Sequence, residues 1–596
     1  MTILSSLVRA YERIPNVPPS GFTREKIGAV LVLNPDGSVV RIDDLRDVSK
    51  KKALSASIDV PKPVKRTAGI APNFLWDKTS YTLGITAGEG KRTAEEHAAF
   101  VDYHEKLLAG SDDEGLKVFL SFLRRWNGNL SGIACWNDDL LDSNIIFVLK
   151  NDWEDKQWLH LRPAARNLWA NLANDDSVPQ GVCLITGHHA PVARLHPAIK
   201  GVFGAQSAGA ALSSFNKDSF TSYGHEQGNN APVSVYAADA YTTALNLMLA
   251  RGSGNHMLIG DTTVVFWAEA EDAAVARRAE QAFDAIWGGS VDKEEIADNL
   301  ERETSQKIST LLDSIRKGKQ LHDIDPALEK DVRFFVLGLA PNAARLVVRF
   351  FYEDSFGHIV RNYQKFIEEM RVEPGWKTPY PPFFLYLSTM ATLGKRENLP
   401  PRLAAEWMQS IISGGRYPAT LLSTMLMRIR LDSHVNALRA SILKAMLIRN
   451  FHATKEATVM LNTECRNTGY LLGRLFAVYE QMQSAALGPN VNATVKDKFY
   501  ASASVQPRKV FNILERNSAN HLAKLRKTKG GYAVNLEKLV REIMGPMNPD
   551  GDPFPISLSP KEQGLFGLAY HQQKGEFFKP KSENIETVDT ETTEEK

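Results

Sequence analysis

The 596-residue sequence predicts an α+β fold, with a mixed N-terminal α/β region followed by a C-terminal α-helical bundle. Three observations lead there. Strand-like apolar runs are common before residue 358 and almost vanish after it, and helical periodicity dominates the second half. In the first half, helices and strands do not alternate as regular βαβ units, which disfavours a doubly wound sheet. A chain of this length divides into two to four domains. The expected partition is 1–357 as the α+β domain, 358–581 as the helical bundle and 582–596 as a tail.

Taken in order, residues 27–33 and 38–43 are apolar-rich strands joined by Asn34-Pro35-Asp36-Gly37, a turn sequence that predicts a β-hairpin. A basic, proline-spaced segment follows (Lys50, Lys51, Lys52, Lys62, Lys65, Arg66). Next come Asn73 and Lys78, set around the aromatic pair Phe74 and Trp76. Such a loop either enters a nucleic-acid groove or packs on its own domain. Residues 95–108 and 116–126 have helical spacing, while 145–149, 182–186 and 263–267 are expected to be buried strands. A helix over 273–287 and an acidic helical stretch to about 319 precede two strands, 331–340 and 345–353. The bundle follows with helices over 402–413, 420–431, 435–449, 468–486 and 495–504, then 510–525 and 536–543. Ser559-Pro560-Lys561-Glu562 is a capping box with proline in the first turn, opening a last helix. Residues 582–596 hold six acids and no aromatic residue, the composition of a disordered tail.

Apolar content of 43% and charged content of 23% are ordinary for a globular protein. No run approaches the roughly 18 apolar residues of a membrane span, and acid and base occur too early for a signal peptide, so a cytoplasmic location is expected. Cys135, Cys183 and Cys465 lie far apart without a CxxC pair, against a disulfide framework or cysteine zinc site. Net charge is only +2, yet residues 401–530 carry 19 Lys or Arg against 7 Asp or Glu, a local excess of 19 − 7 = +12. A phosphate-backbone partner is one physical reason for such a region, and solvated helix faces are the other. Arg428, Arg439, Lys444, Arg449, Arg466 and Arg474, with the run Lys524, Arg526, Lys527 and Lys529, are the candidate backbone contacts.

Residues 201–250 combine small, amide and aromatic side chains with only four full charges before Leu249: Lys217, Asp218, Glu226 and Asp239. Glycines there permit close backbone approach, and Gln206, Ser207 and Asn216 supply neutral donors and acceptors, so the segment suits reading of shape or base edges, or equally a tightly packed internal loop. Ala205-Gln206-Ser207-Ala208-Gly209 is also a degenerate nucleophile elbow, with His188, His189 and His196 nearby in sequence. No buried strand is predicted to run into Ser207, which weakens a serine hydrolase. The histidine spacing matches no standard metal pattern, and the nucleotide-binding glycine motifs are absent, so no cofactor is expected.

Residues 71–84 (APNFLWDKTSYTLG), 195–204 (LHPAIKGVFG), the SFN…SYG and NAPVS elements at 214–224 and 230–234, 335–349 (FVLGLAPNAARLVVR) and 562–572 (EQGLFGLAYHQ) occur in one order along nearly the whole chain. In this arrangement the chain resembles the large subunit of the subtype I-C CRISPR Cascade complex. The resemblance implies a non-catalytic subunit of an RNA-guided assembly. It would recognise the protospacer-adjacent motif in duplex DNA, help open the strands and recruit a helicase-nuclease. The implied partners are crRNA-containing Cascade with repeated backbone subunits, a crRNA-processing subunit and double-stranded target DNA. A small subunit made from an internal start is also implied, and among Met446, Met460 and Met482 the expected start is Met482, closest before the helix break Gly488-Pro489-Asn490, giving 482–581. Asn73, Lys78, Gln206, Ser207, Gly209 and Asn216 are the expected contacts near the adjacent motif. A nucleic-acid scaffold outside CRISPR defence and a hydrolase on Ser207 are the competing classes.

Overall fold

The computed structural model describes residues 2–579 apart from 16, 48, 50–52, 65, 67–68, 131–132, 174–178, 289–298, 331, 401, 489–492 and 548–551. Lys50, Lys51, Lys52, Lys65, Pro489, Asn490 and the acidic tail thus lie outside the described residues. The fold is α+β, and internal contacts group it into two compact units, 1–200 with 208–247 and 201–207 with 248–596.

The first unit is built on a four-stranded sheet in the order Val39–Asp44, Ala29–Leu33, Asn144–Leu149, Asp77–Lys78. Ala29–Leu33 pairs antiparallel with Val39–Asp44 through the expected hairpin, in which Gly37 takes φ +85°. It pairs parallel with Asn144–Leu149, Leu31 facing Phe147. All five side chains of Ala29–Leu33 are buried, as a central strand covered on both faces requires. Helices Thr93–Leu108 and Glu114–Arg125 cover one face with Phe100, Phe119 and Phe122. The expected buried strand at 182–186 is only Gln180–Val182 in a two-stranded ribbon, with Val182 and Leu184 exposed: an apolar run did not become core because no layer covers it.

The second unit carries an antiparallel sheet in the order Arg345–Ser355, Arg333–Asn342, Thr262–Glu269, His256–Ile259. Its inner face meets helices Ala273–Trp287 and Phe356–Met370 through Phe266, Phe283, Phe334 and Phe356. The same apolar core continues through helices Leu403–Ser413 and Ala437–Phe451 to Thr468–Leu487 and Pro560–Glu576. The expected 357/358 boundary therefore falls inside this unit.

The last helix starts on the predicted capping box: Ser559 Oγ accepts from Glu562 N and the Glu562 carboxylate accepts from Ser559 N. It packs against Thr468–Leu487 at glycines. A Cβ on Gly473 would lie 2.2 Å from the Phe566 carbonyl oxygen, and one on Gly469 2.4 Å from that of Glu562. Only glycine permits that approach.

Candidate nucleic-acid interface

In the first unit the edge strand Asp77–Lys78 and the turn of helix Thr79–Thr82 form one wall of a solvent-open crevice of about 460 Å³. Arg66, Lys78, Lys91 and Arg92 line it with Ser80, Thr86 and Thr93, against two acids, Glu96 and Asp142. The surface is net cationic. Arg66 is fixed in place: its Nε donates to Ala71 O (2.7 Å), its guanidinium lies over the Tyr81 ring (4.0 Å) and it ion-pairs with Asp77. Burial pushes the Asp77 carboxyl up, opposed by Arg66 and by the Asn73 and Lys78 backbone N–H groups. Asp142 is occupied by Thr86 Oγ1 (2.6 Å). Lys78 and Arg92 are exposed and make no ion pair with a described residue. Two unneutralised cations beside hydroxyls are the donor set that phosphate oxygens accept from.

Lys78 is exposed, as a phosphate anchor has to be, whereas Asn73 is buried. Asn73 is 4% exposed, and its Oδ1 accepts from Val64 N (3.0 Å), so it closes the loop that carries Arg66 and does not present an amide to a base edge. The neighbouring aromatics pack inward for the same reason: Phe74 stacks on Trp169 (5.5 Å), and Trp76 Nε1 donates to Pro61 O.

Gly209 is a packing residue. It has φ +92°, and a Cβ would sit 2.8 Å from Ile199 O, so the backbone it lets in is the chain's own. Asn216, in the same unit, is exposed. Gln206 and Ser207 are exposed in the other unit, in a bend anchored by Phe203 N on Thr263 Oγ1 (3.0 Å), and no described strand leads into Ser207.

The basic half needs the largest correction. Arg428, Arg439, Lys444, Arg449 and Arg474 are all buried. Arg428 and Arg439 both pair with Asp432. Lys444 Nζ donates to Glu368 O and Glu369 O, capping helix Phe356–Met370, and burial pushes its pKa down to about 8. Arg449 pairs with Glu369 (2.8 Å), lies over Tyr417 (4.1 Å) and donates to Ser410 O. Arg474 Nε donates to Gln573 Oε1 (3.0 Å), tying the two glycine-packed helices together. Most donors of these five cations go to internal acceptors, and burial of all five side chains keeps them off a phosphate path. Arg466 is exposed beside Glu464. Lys524, Arg526, Lys527 and Lys529 are exposed on and just after the end of helix Pro507–Thr528, where Arg526 pairs with Glu537.

Sequence reasoning passed over Tyr223 and Arg92. Tyr223 is 97% exposed at a loop tip, and Tyr-Gly inside the SFN…SYG element was the available signal. Arg92 lies in a Gly-Lys-Arg-Thr segment with no periodicity to flag it.

Among the described residues no group of three His, Cys, Asp or Glu is placed to hold a metal ion, and no helix is long and apolar enough to cross a membrane. Fold and crevice together define an α+β protein with a polyanion-compatible surface on its first unit. The chain belongs to a family of CRISPR-associated proteins, Cas_Csd1, whose model matches residues 7–578. No curated protein matches it.

Proposed function

We propose that this chain is the non-catalytic large subunit of a type I-C Cascade complex, which recognises the protospacer-adjacent motif in duplex DNA, promotes R-loop formation and recruits the helicase-nuclease. Membership of the family supports the CRISPR setting. The single observation that carries the DNA role is the crevice in which Lys78 and Arg92, without an ion pair among the described residues, stand exposed beside a fixed Arg66. Lys78 and Arg92 act as phosphate anchors that set the duplex in register, and neutral groups around them read its edges. The crRNA-bearing backbone subunits, the crRNA-processing subunit and a C-terminal small subunit are the partners of this reading.

The test is a titration of the full-length chain with duplexes randomised beside the target, at several salt concentrations. Lys78→Ala with Arg92→Ala should weaken binding to all duplexes and lower the salt slope by about 0.9 per lost phosphate contact. Equal slopes for parent and variant would remove the crevice from the DNA path.

A further inference from the structure

Tyr223 occupies a place that folding by itself does not explain. Ser222-Tyr223-Gly224-His225 is a tight turn in which His225 N donates to Ser222 O (2.9 Å), with φ +51° at Tyr223 and +74° at Gly224. Positive φ at both central positions is the pattern of a type I′ turn, where asparagine, aspartate or glycine is the usual first central residue. An aromatic residue there is strained, and such strain collects at binding sites. The turn is also braced. Asn230 Oδ1 accepts from Ser222 N (2.9 Å), and its Nδ2 donates to His225 O and Gln227 O. The ring therefore stands on a fixed platform, 97% exposed, without a ring partner among the described residues.

We infer that Tyr223 is a stacking residue for an unpaired nucleobase. Its polar neighbours along the chain, Ser222, His225 and Glu226, are all exposed. A single ring set among polar neighbours offers little apolar area to a protein partner, whereas a flat base needs only the ring face and tolerates a wet border. The geometry suits a base released by duplex opening, since a base stacked between its neighbours inside a duplex offers no free face. This inference rests on the DNA-binding reading above and assigns it a residue.

The experiment uses the full-length chain and a forked duplex carrying 2-aminopurine in its single-stranded arm. The parent should quench the probe on binding, and Tyr223→Phe and Tyr223→Trp should do the same. Tyr223→Ala should lose the quenching and bind the fork roughly 5- to 100-fold more weakly, with binding to fully paired duplex and the melting temperature unchanged. Absence of quenching by the parent, or parent-like quenching by Tyr223→Ala, would overturn the assignment. So would a Tyr223→Ala variant normal on the fork but defective in binding a protein, which would make the ring a protein anchor. Neutralising Lys78 and Arg92 separates the two ideas: if the crevice reading fails, their loss leaves the salt slope unchanged while the Tyr223 effect on quenching persists.

Discussion

In the first unit Lys78 and Arg92 keep their charge in water beside a crevice, whereas in the second unit Lys444, Arg449 and Arg474 spend theirs on carbonyls, a carboxylate and an amide inside the core. The second unit is the more basic by sequence, yet Arg428, Arg439, Lys444, Arg449 and Arg474 are buried there, and its exposed charge lies instead at positions such as Lys524, Lys527 and Lys529. Transfer of a charge into a core is tolerated only when acceptors surround it, and helix C-termini and buried acids supply them here. A count of lysines and arginines thus measures composition and not available field. Phosphate contacts have to be sought among the exposed, unpaired cations.

The largest expected effect tests whether the second unit has one core or two. A chain beginning at Met482 would lack Leu471, Leu472, Leu475, Phe476 and Tyr479, all buried, and the glycine face against which Pro560–Glu576 packs. At about 1.5–3 kcal/mol for each buried side chain, the loss is on the order of 10 kcal/mol. Residues 482–579 should melt without cooperativity, while 460–579, which begins at Met460 and retains the whole helix, should show a cooperative transition by circular dichroism. A cooperative melt of the shorter piece would mean that the C-terminal helices form a core of their own.

Next in size is the buried pair of Arg449 and Glu369, each with a 4% exposed side chain. Arg449→Ala strands the carboxylate and should cost about 3–5 kcal/mol in denaturant unfolding. A cost below about 1 kcal/mol would place Arg449 among the solvated cations and erase the contrast between the units.

Acid should strike the first unit through His104 and His160, both fully buried and both pushed down by burial to about 4. His104 Nε2 accepts from Leu75 N, so its proton resides on Nδ1, which donates to Phe100 O. The folded pKa values lie below the ordinary 6.5, so the unfolded chain binds more protons between these limits. Stability is full above about pH 6.5 and falls toward pH 4, by roughly 2 kcal/mol for each histidine at pH 5. Thermal melts at pH 7, 6 and 5 should show the decline, with a shallower slope in His160→Leu. A flat profile would place both rings in contact with water.

The smallest stability effect is expected at the crevice. Lys78→Ala and Arg92→Ala together should change unfolding free energy by no more than about 0.5 kcal/mol, because both side chains are exposed and neither has an ionic partner among the described residues. A large loss would show that these cations, like Arg449, belong to the protein's own packing.

The order of strands and helices was legible because it rests on local signals. Asn34-Pro35-Asp36-Gly37 forces a hairpin, and Ser559 to Glu562 closes a cap within one turn. The long bundle helices follow from periodicity and end within a few residues of their expected limits. Membership of a CRISPR-associated family was legible too, since it depends on short ordered motifs. Burial of specific polar groups was not. Asn73 and Lys78 lie five positions apart in one motif, yet one closes a loop and the other faces solvent, because the Val64 N–H is folded onto the Asn73 amide oxygen while the Lys78 side chain stays exposed. Gly209 and Gly473 look like any flexible glycine until the Ile199 and Phe566 carbonyls are placed against them. Sequence by itself determined the hairpin, the capped last helix and the long bundle helices, through spacing and turn chemistry acting over a few residues. Only tertiary structure decided which charges and amides remain free for a ligand, because that depends on acceptors brought together from distant parts of the chain.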